Sequence, residues 1–101
     1  MTMSTSPERL SKYQLQEVLG RGGMAEVRKA FDTQLRRHVA IKFLHADLLH
    51  DPSFITRFER EAQAIASLRH PNIVQIYDFS ISPSSEAEKP LCYMVMEYKK
   101  D

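Results

Sequence analysis

Residues 25–31, A-E-V-R-K-A-F, decide how this chain folds. Val27, Ala30, Phe31 and Leu35 have the spacing of a helix face. Ala25, Val27 and Lys29 would instead share one face of a strand. Just upstream, residues 19–24 read L-G-R-G-G-M and hold all 3 glycines of the protein. A helix after them would make a dinucleotide-binding strand–turn–helix, because Gly20-x-Gly22-x-x-Ala25 satisfies G-x-G-x-x-G/A. A strand would make a glycine-tipped hairpin. Two observations favour the hairpin. The preceding strand, Y-Q-L-Q-E-V-L-G at Tyr13–Gly20, is half polar, whereas a central parallel strand is a continuous apolar run. The acidic residue that a dinucleotide site needs about 20 residues further on is also missing, and Ala40 and Lys42 stand in that region.

Working outward, H-V-A-I-K-F-L at His38–Leu44 is β-rich, with one charge inside it. Asp51-Pro52 opens a helix expected to run from Pro52 to about Arg69. Asp is a good N-cap and Pro suits the first helical position. His70-Pro71 ends it, since the residue before proline resists helical geometry. Ile73–Ile81 reads as a strand, Ser82–Pro90 as a polar loop, and Leu91–Tyr98 as a last strand. The order β-β-β-α-β-β with short links predicts an α+β domain, a five-stranded antiparallel sheet carrying one main helix. Residues 1–12, rich in Ser and Thr, are expected to be a flexible tail, and residues 13–101 the folded unit.

Composition narrows the function. The 101 residues are 43% hydrophobic and 27% charged, which fits one small globular domain. Fourteen Lys and Arg against 13 Asp and Glu leave a net charge of +1. No strong field therefore draws the chain to nucleic acid or an anionic membrane. Cys92 is the only cysteine, so there is no internal disulfide framework. No apolar run reaches the ~18 residues of a membrane helix. The opening M-T-M-S-T-S-P-E-R-L lacks the apolar core of a secretory signal. A cytoplasmic location is the expectation.

Two charges stand out. The expected helix repeats apolar residues at Phe54, Phe58, Ile65 and Leu68, and Glu61 occupies the same stripe. Lys42 sits between Ile41 and Phe43 in an otherwise apolar strand. A charge facing a core needs a partner, so a strand–helix Lys42–Glu61 pair would answer both problems. The alternative is that both side chains lie at wet edges and reach water.

Five ordered segments then bear on identity: L-G-R-G-G-M-A-E-V at 19–27, V-A-I-K at 39–42, R-E-A-Q at 60–63, H-P-N-I-V at 70–74 and Y-M-V-M-E-Y at 93–98. Together they closely resemble the N-terminal, ATP-binding lobe of a bacterial serine/threonine protein kinase of eukaryotic type. The resemblance runs from Tyr13 to Tyr98. It implies that Leu19, Gly20, Arg21, Gly22, Gly23, Met24, Ala25, Glu26 and Val27 form the flap over ATP, with Leu19 and Val27 against the adenine. Ala40 would leave room for the ring. Lys42 would pair the α- and β-phosphates, and Glu61 would orient it. Met96 would be the gatekeeper, and the Glu97 carbonyl and Lys99 N–H would bind the adenine edge.

The family pattern G-x-G-x-x-G-x-V has Ala25 in place of its third glycine, a small and tolerable change. Ser82–Pro90 is longer than the family's usual connection. Lys99-Lys100-Asp101 stands where such kinases continue towards the large lobe. The resemblance implies that the catalytic loop and the Mg²⁺ ligands belong to that lobe. The chain alone is therefore expected to be inactive, with weak nucleotide binding, and the protein substrate would dock on the large lobe. Self-association through the exposed interlobe surface is a further expectation. A truncated, non-catalytic kinase-like module that binds a partner protein is the alternative. Asp78-Phe79-Ser80 imitates the family's metal-binding D-F-G but precedes the hinge, so it is read as a strand-end carboxylate. His38, His45, His50 and His70 lack metal-ligand spacing and read as turn or cap residues. Cys92 reads as a core residue.

Overall fold

The computed structural model describes residues 9–66, 75–82 and 91–98. In chain order the elements are β1 (Arg9–Leu10), β2 (Tyr13–Arg21), β3 (Ala25–Asp32), β4 (Arg37–Leu44), α1 (Pro52–Ala66), β5 (Ile76–Ser82) and β6 (Leu91–Glu97). The ambiguous stretch is thus a strand, and the glycines cap a β2–β3 hairpin. All neighbouring strands are antiparallel, in the spatial order β1-β2-β3-β4-β6-β5.

The sheet has six strands where five were expected. The addition is β1, whose Arg9 and Leu10 pair with Gln14 and Tyr13 of β2 inside the segment expected to be a tail. Two residues are too few to show a period of two, so sequence pattern has nothing to read there. Ser11 takes the tight turn with φ 57. The helix is described as far as Ala66, so the end expected near Arg69 lies outside the described residues. So do His70–Val74 and, of the loop expected at Ser82–Pro90, residues 83–90; Ser82 itself is the last residue of β5. A single 3₁₀ turn, Ala46–Leu48, links β4 to α1 and was not anticipated.

Each face of the sheet has its own core. Tyr13, Ala30, Val39, Ile41, Tyr93 and Val95 pack on one face, with Leu10 and Leu15 at its margin. On the other, Leu44, Cys92 and Met94 receive Phe58 and Ala62 of α1. Central strands with both faces covered need near-continuous apolar runs, and β6, L-C-Y-M-V-M-E, is one. Burial pushes the Cys92 thiol up to about 11, with Glu59 adding a smaller push, so the thiol stays protonated at neutral pH as a core group.

Asp51 starts α1. Its Oδ1 accepts from Ser53 N at 3.0 Å and Ser53 Oγ at 2.8 Å. Those two bonds, the backbone one first, hold its carboxyl below the ordinary carboxylate range. The buried line of the helix runs through Phe58 and Ala62, with Phe54, Ile55 and Ile65 half-buried. The expected stripe through position 61 is thus rotated by one residue, and Glu61 flanks the core.

Candidate functional site

The β2–β3 hairpin leans over a cleft of about 650 Å³ lined from above by Gly20, Arg21, Gly22, Met24, Ala25 and Val27. Lys42 of β4 forms its floor, and Arg57, Phe58, Arg60 and Glu61 of α1 form its wall. Register explains the grouping. Gly20 is directly paired with Val27, Val27 with Lys42, and Lys42 with Met94. Directly paired residues share a face, so Gly20, Val27 and Lys42 all present to the face that α1 half covers. Two residues back along β4, Ala40 is paired with Met96 on that same face.

Lys42 Nζ donates to both oxygens of Glu61, at 2.9 and 3.0 Å. The side chains are 26% and 45% exposed. The expected strand–helix pair is formed, and the wet alternative also holds in part. Both side chains are paired and both also reach water, because α1 covers only part of the face and position 61 lies at the open margin. An ion pair this wet contributes only about 0–1 kcal/mol to stability. The fold therefore gives little reason for a Lys and a Glu to meet here.

The flap is shaped by strand chemistry more than by glycine geometry. No glycine has positive φ. A Cβ at Gly20 or Gly23 would meet nothing within 4 Å, and one at Gly22 would meet only Ala25 O, at 3.9 Å. The hairpin thus has room for side chains at all three positions. Two irregularities in β2, between Leu15 and Val18 and between Val18 and Gly20, give that strand extra residues opposite β3. Arg28 compensates for the first, its Nε and Nη2 donating to Gln16 O at 2.9 and 2.6 Å. The second leaves Leu19 43% exposed and outside the cleft lining. Glu26 points its carboxylate at Arg21 Nε, 2.9 Å away. Gly23 is exposed and also falls outside the lining.

At the far end of the face, Ala40 is buried and Met96 and Glu97 are half-buried. Glu97 N donates to Gln75 O at 2.8 Å. Lys99 lies outside the described residues. Asp78, the third residue of β5, accepts from its own neighbour, Phe79 N, at 2.8 Å and is not among the residues lining the cleft. Sequence reasoning missed two arginines, Arg57 and Arg60, that α1 adds to the wall. Their spacing of three places both on the helix face that carries Glu61, which was a readable signal. Another omission was His45, whose Nε2 lies 2.8 Å from Gly22 O.

A protein kinase domain model matches residues 13–101 of the sequence. The chain belongs to the protein kinase family. Among kinases, it is 51% identical over 96 residues to serine/threonine-protein kinase PknB of Mycobacterium leprae, covering 95% of this chain and 15% of that protein. It is 54% identical over 98 residues to PknB of Mycobacterium tuberculosis strain H37Rv, covering 93% and 15%. The chain thus spans about 15% of the length of these relatives. A solved kinase structure, the PpkA-294 apo form, superposes with a TM-score of 0.71 at 24% identity, covering 95% of this chain and 38% of that one. At that identity the superposition speaks for the small-lobe fold.

Kinases of this family use Mg²⁺ with ATP in their complete form. Among the described residues there is no group of three or more His, Cys, Asp or Glu side chains able to hold a metal ion. The one carboxylate in the cleft, Glu61, is held by Lys42. The residues described here therefore do not make a metal cradle of their own. No described helix is long and apolar enough to cross a membrane.

Proposed function

We propose that this lobe supplies the ATP-binding half of a serine/threonine protein kinase. The observation that carries the reading is the two-pronged Lys42–Glu61 contact inside the cleft, under a glycine-rich hairpin. Glu61 fixes the end of a flexible four-carbon stem. Lys42 keeps donor capacity for phosphate oxygens, since an ammonium has three N–H groups. The lining carries Arg21, Lys42, Arg57 and Arg60 against Glu61 alone, a balance that favours a polyanion such as a triphosphate.

The adenine would lie along Val27, Ala40 and Met96, with its edge on the Glu97 carbonyl and the Lys99 N–H. Leu19, as the exposed residue of the bulge, would close over it, and Gly23 and Glu26 complete the hairpin. The remainder of the machinery would come from a large lobe. Phosphoryl transfer relies on positioning and electrostatic stabilisation, and the small lobe contributes the nucleotide side of both. The group that accepts the substrate hydroxyl proton, the Mg²⁺ ligands and the protein-substrate groove would belong to the large lobe. A cytoplasmic location and coverage of the Met96 surface, by that lobe or by a second copy, complete the proposal.

The test compares the 101-residue chain with a full-length kinase carrying this lobe, by peptide phosphorylation. The chain alone is expected to show no turnover. In the full-length enzyme, Lys42→Met should lower kcat by roughly 10²-fold or more while leaving the melting transition nearly unmoved. Near-normal turnover of that variant would refute the role of Lys42. A full-length wild type that binds a partner protein but phosphorylates nothing would favour the non-catalytic module.

A further inference from the structure

His45 follows β4 directly, at the end of the strand that carries Lys42. It reaches the hairpin tip in two ways. Its backbone N–H donates to Met24 O at 2.9 Å. Its imidazole Nε2 lies 2.8 Å from Gly22 O. A carbonyl only accepts, so Nε2 carries the proton. That holds for the neutral ring in this tautomer and for the imidazolium alike, so the contact does not depend on the charge of the ring.

The Gly22 carbonyl and the Gly23 N–H belong to one peptide unit. That unit is trans, as are all peptide bonds described. In a trans peptide the C=O and N–H point in opposite directions. Holding the carbonyl therefore also aims the N–H. Gly22 N is already used, donating to Ala25 O at 2.8 Å. The Gly23 N–H has no hydrogen-bond partner among the described residues and lies at an exposed position. It is a donor left over by the turn, beside the cleft that Gly22 lines. Backbone N–H groups at such turns are good partners for phosphate oxygens.

We propose that His45 is a positioning residue for nucleotide binding. By gripping the Gly22 carbonyl it turns the Gly23 N–H towards a phosphate of the nucleotide. Without that grip, the glycine pair is free to rotate the peptide, because no side chain at 22 or 23 resists it. The inference rests on the nucleotide-binding reading above and goes beyond it by naming what orders the flap tip.

The experiment measures binding of ADP and of adenosine, side by side by calorimetry, in a full-length kinase carrying this lobe. His45→Phe keeps a ring and removes the donor. His45→Gln keeps a donor at comparable reach. His45→Phe is expected to weaken ADP roughly three- to tenfold, the scale of one hydrogen bond, and to leave adenosine unchanged. His45→Gln should restore ADP binding to within about twofold of wild type on the same scale. An unchanged ADP affinity in His45→Phe would overturn the proposal. So would an equal loss for adenosine, which marks general damage to the hairpin, or a failure of His45→Gln to restore. If His45→Phe does not fold, His45→Asn, polar but too short to reach, replaces it against His45→Gln with the same criteria. Wild type that binds neither ligand would overturn the nucleotide reading and this proposal with it. Wild type that binds ADP, with variants that bind it equally, overturns only the role of His45.

Discussion

β3 leaves one turn at Gly22–Met24 and enters another at Thr33–Arg36, and the two are built differently. In the second, Asp32 is 1% exposed, and its Oδ1 accepts from the N–H groups of Gln34 and Leu35, both at 2.9 Å. Its backbone carbonyl takes Arg36 N at 2.7 Å, and Thr33 ties N and Oγ1 to Lys12 O at 3.0 and 2.8 Å. Every backbone N–H of that turn is taken, by Asp32 or by the Lys12 carbonyl. In the first, one bond is internal, Gly22 N to Ala25 O at 2.8 Å, and the others come from His45 and from Arg57 Nη1, 3.8 Å from Met24 Sδ. The backbone N–H groups of Gly23 and Met24 have no hydrogen-bond partner among the described residues. A turn whose donors are all taken by the fold holds the fold together, and a turn with spare donors is suited to a ligand.

The sharpest way to break this contrast is Asp32→Ala. It removes two hydrogen bonds to the turn and should lower stability by about 1–3 kcal/mol. Denaturant unfolding reads the loss, and ADP affinity of the surviving folded protein should be unchanged. A variant that loses nucleotide binding in proportion would show that the two turns are not independent.

Gly20→Ala probes the opposite end, with an expected loss of about 1–2 kcal/mol in ADP affinity from a methyl placed on the cleft face. Its stability should stay level or rise by roughly 0.5 kcal/mol, since glycine is unfavourable within a strand. Binding and melting measured on one preparation check both signs. A fall in stability would mean that the hairpin needs its glycine for folding.

The smallest effect is expected at Arg36, which holds φ 58 in the turn after Asp32. A left-handed backbone costs a non-glycine residue about 1–2 kcal/mol; Arg36→Gly removes that cost, and the looser unfolded chain takes back part of the gain. A gain of up to about 0.5 kcal/mol in stability, with no change in binding, is the expected outcome.

The same two turns show what could be read in advance. The hairpin was legible because its glycines and the half-polar Tyr13–Gly20 stretch are local signals. Asp32 was passed over although an Asp followed by Thr33 and Gln34 between two strands is a recognisable turn opening. Its burial could not be foreseen, since it depends on how β2 and β3 curl together. Lys42 and Glu61 were legible as misplaced charges; that they would be paired and wet at once was not, because it depends on how much of the sheet α1 covers. His45 was set aside as a turn histidine. Its partner lies 23 residues upstream, and only the β3–β4 register, Ala25 opposite Leu44, brings the two together.

Strand order has a consequence for synthesis. β6 is the last strand to be made, yet it lies between β4 and β5. Its Cys92 and Met94 are also the platform on which Phe58 and Ala62 rest. The β1–β4 meander can pair as it emerges, because each strand follows its neighbour. The helix and β5 must wait, unpacked, until residues 91–97 arrive to slot between strands already formed. Completion of this lobe is therefore a late, non-local event, of the kind that slows folding and exposes apolar surface on the way. A ribosome halted at Pro90 would hold a chain with every residue of its helix and no finished core to set it on.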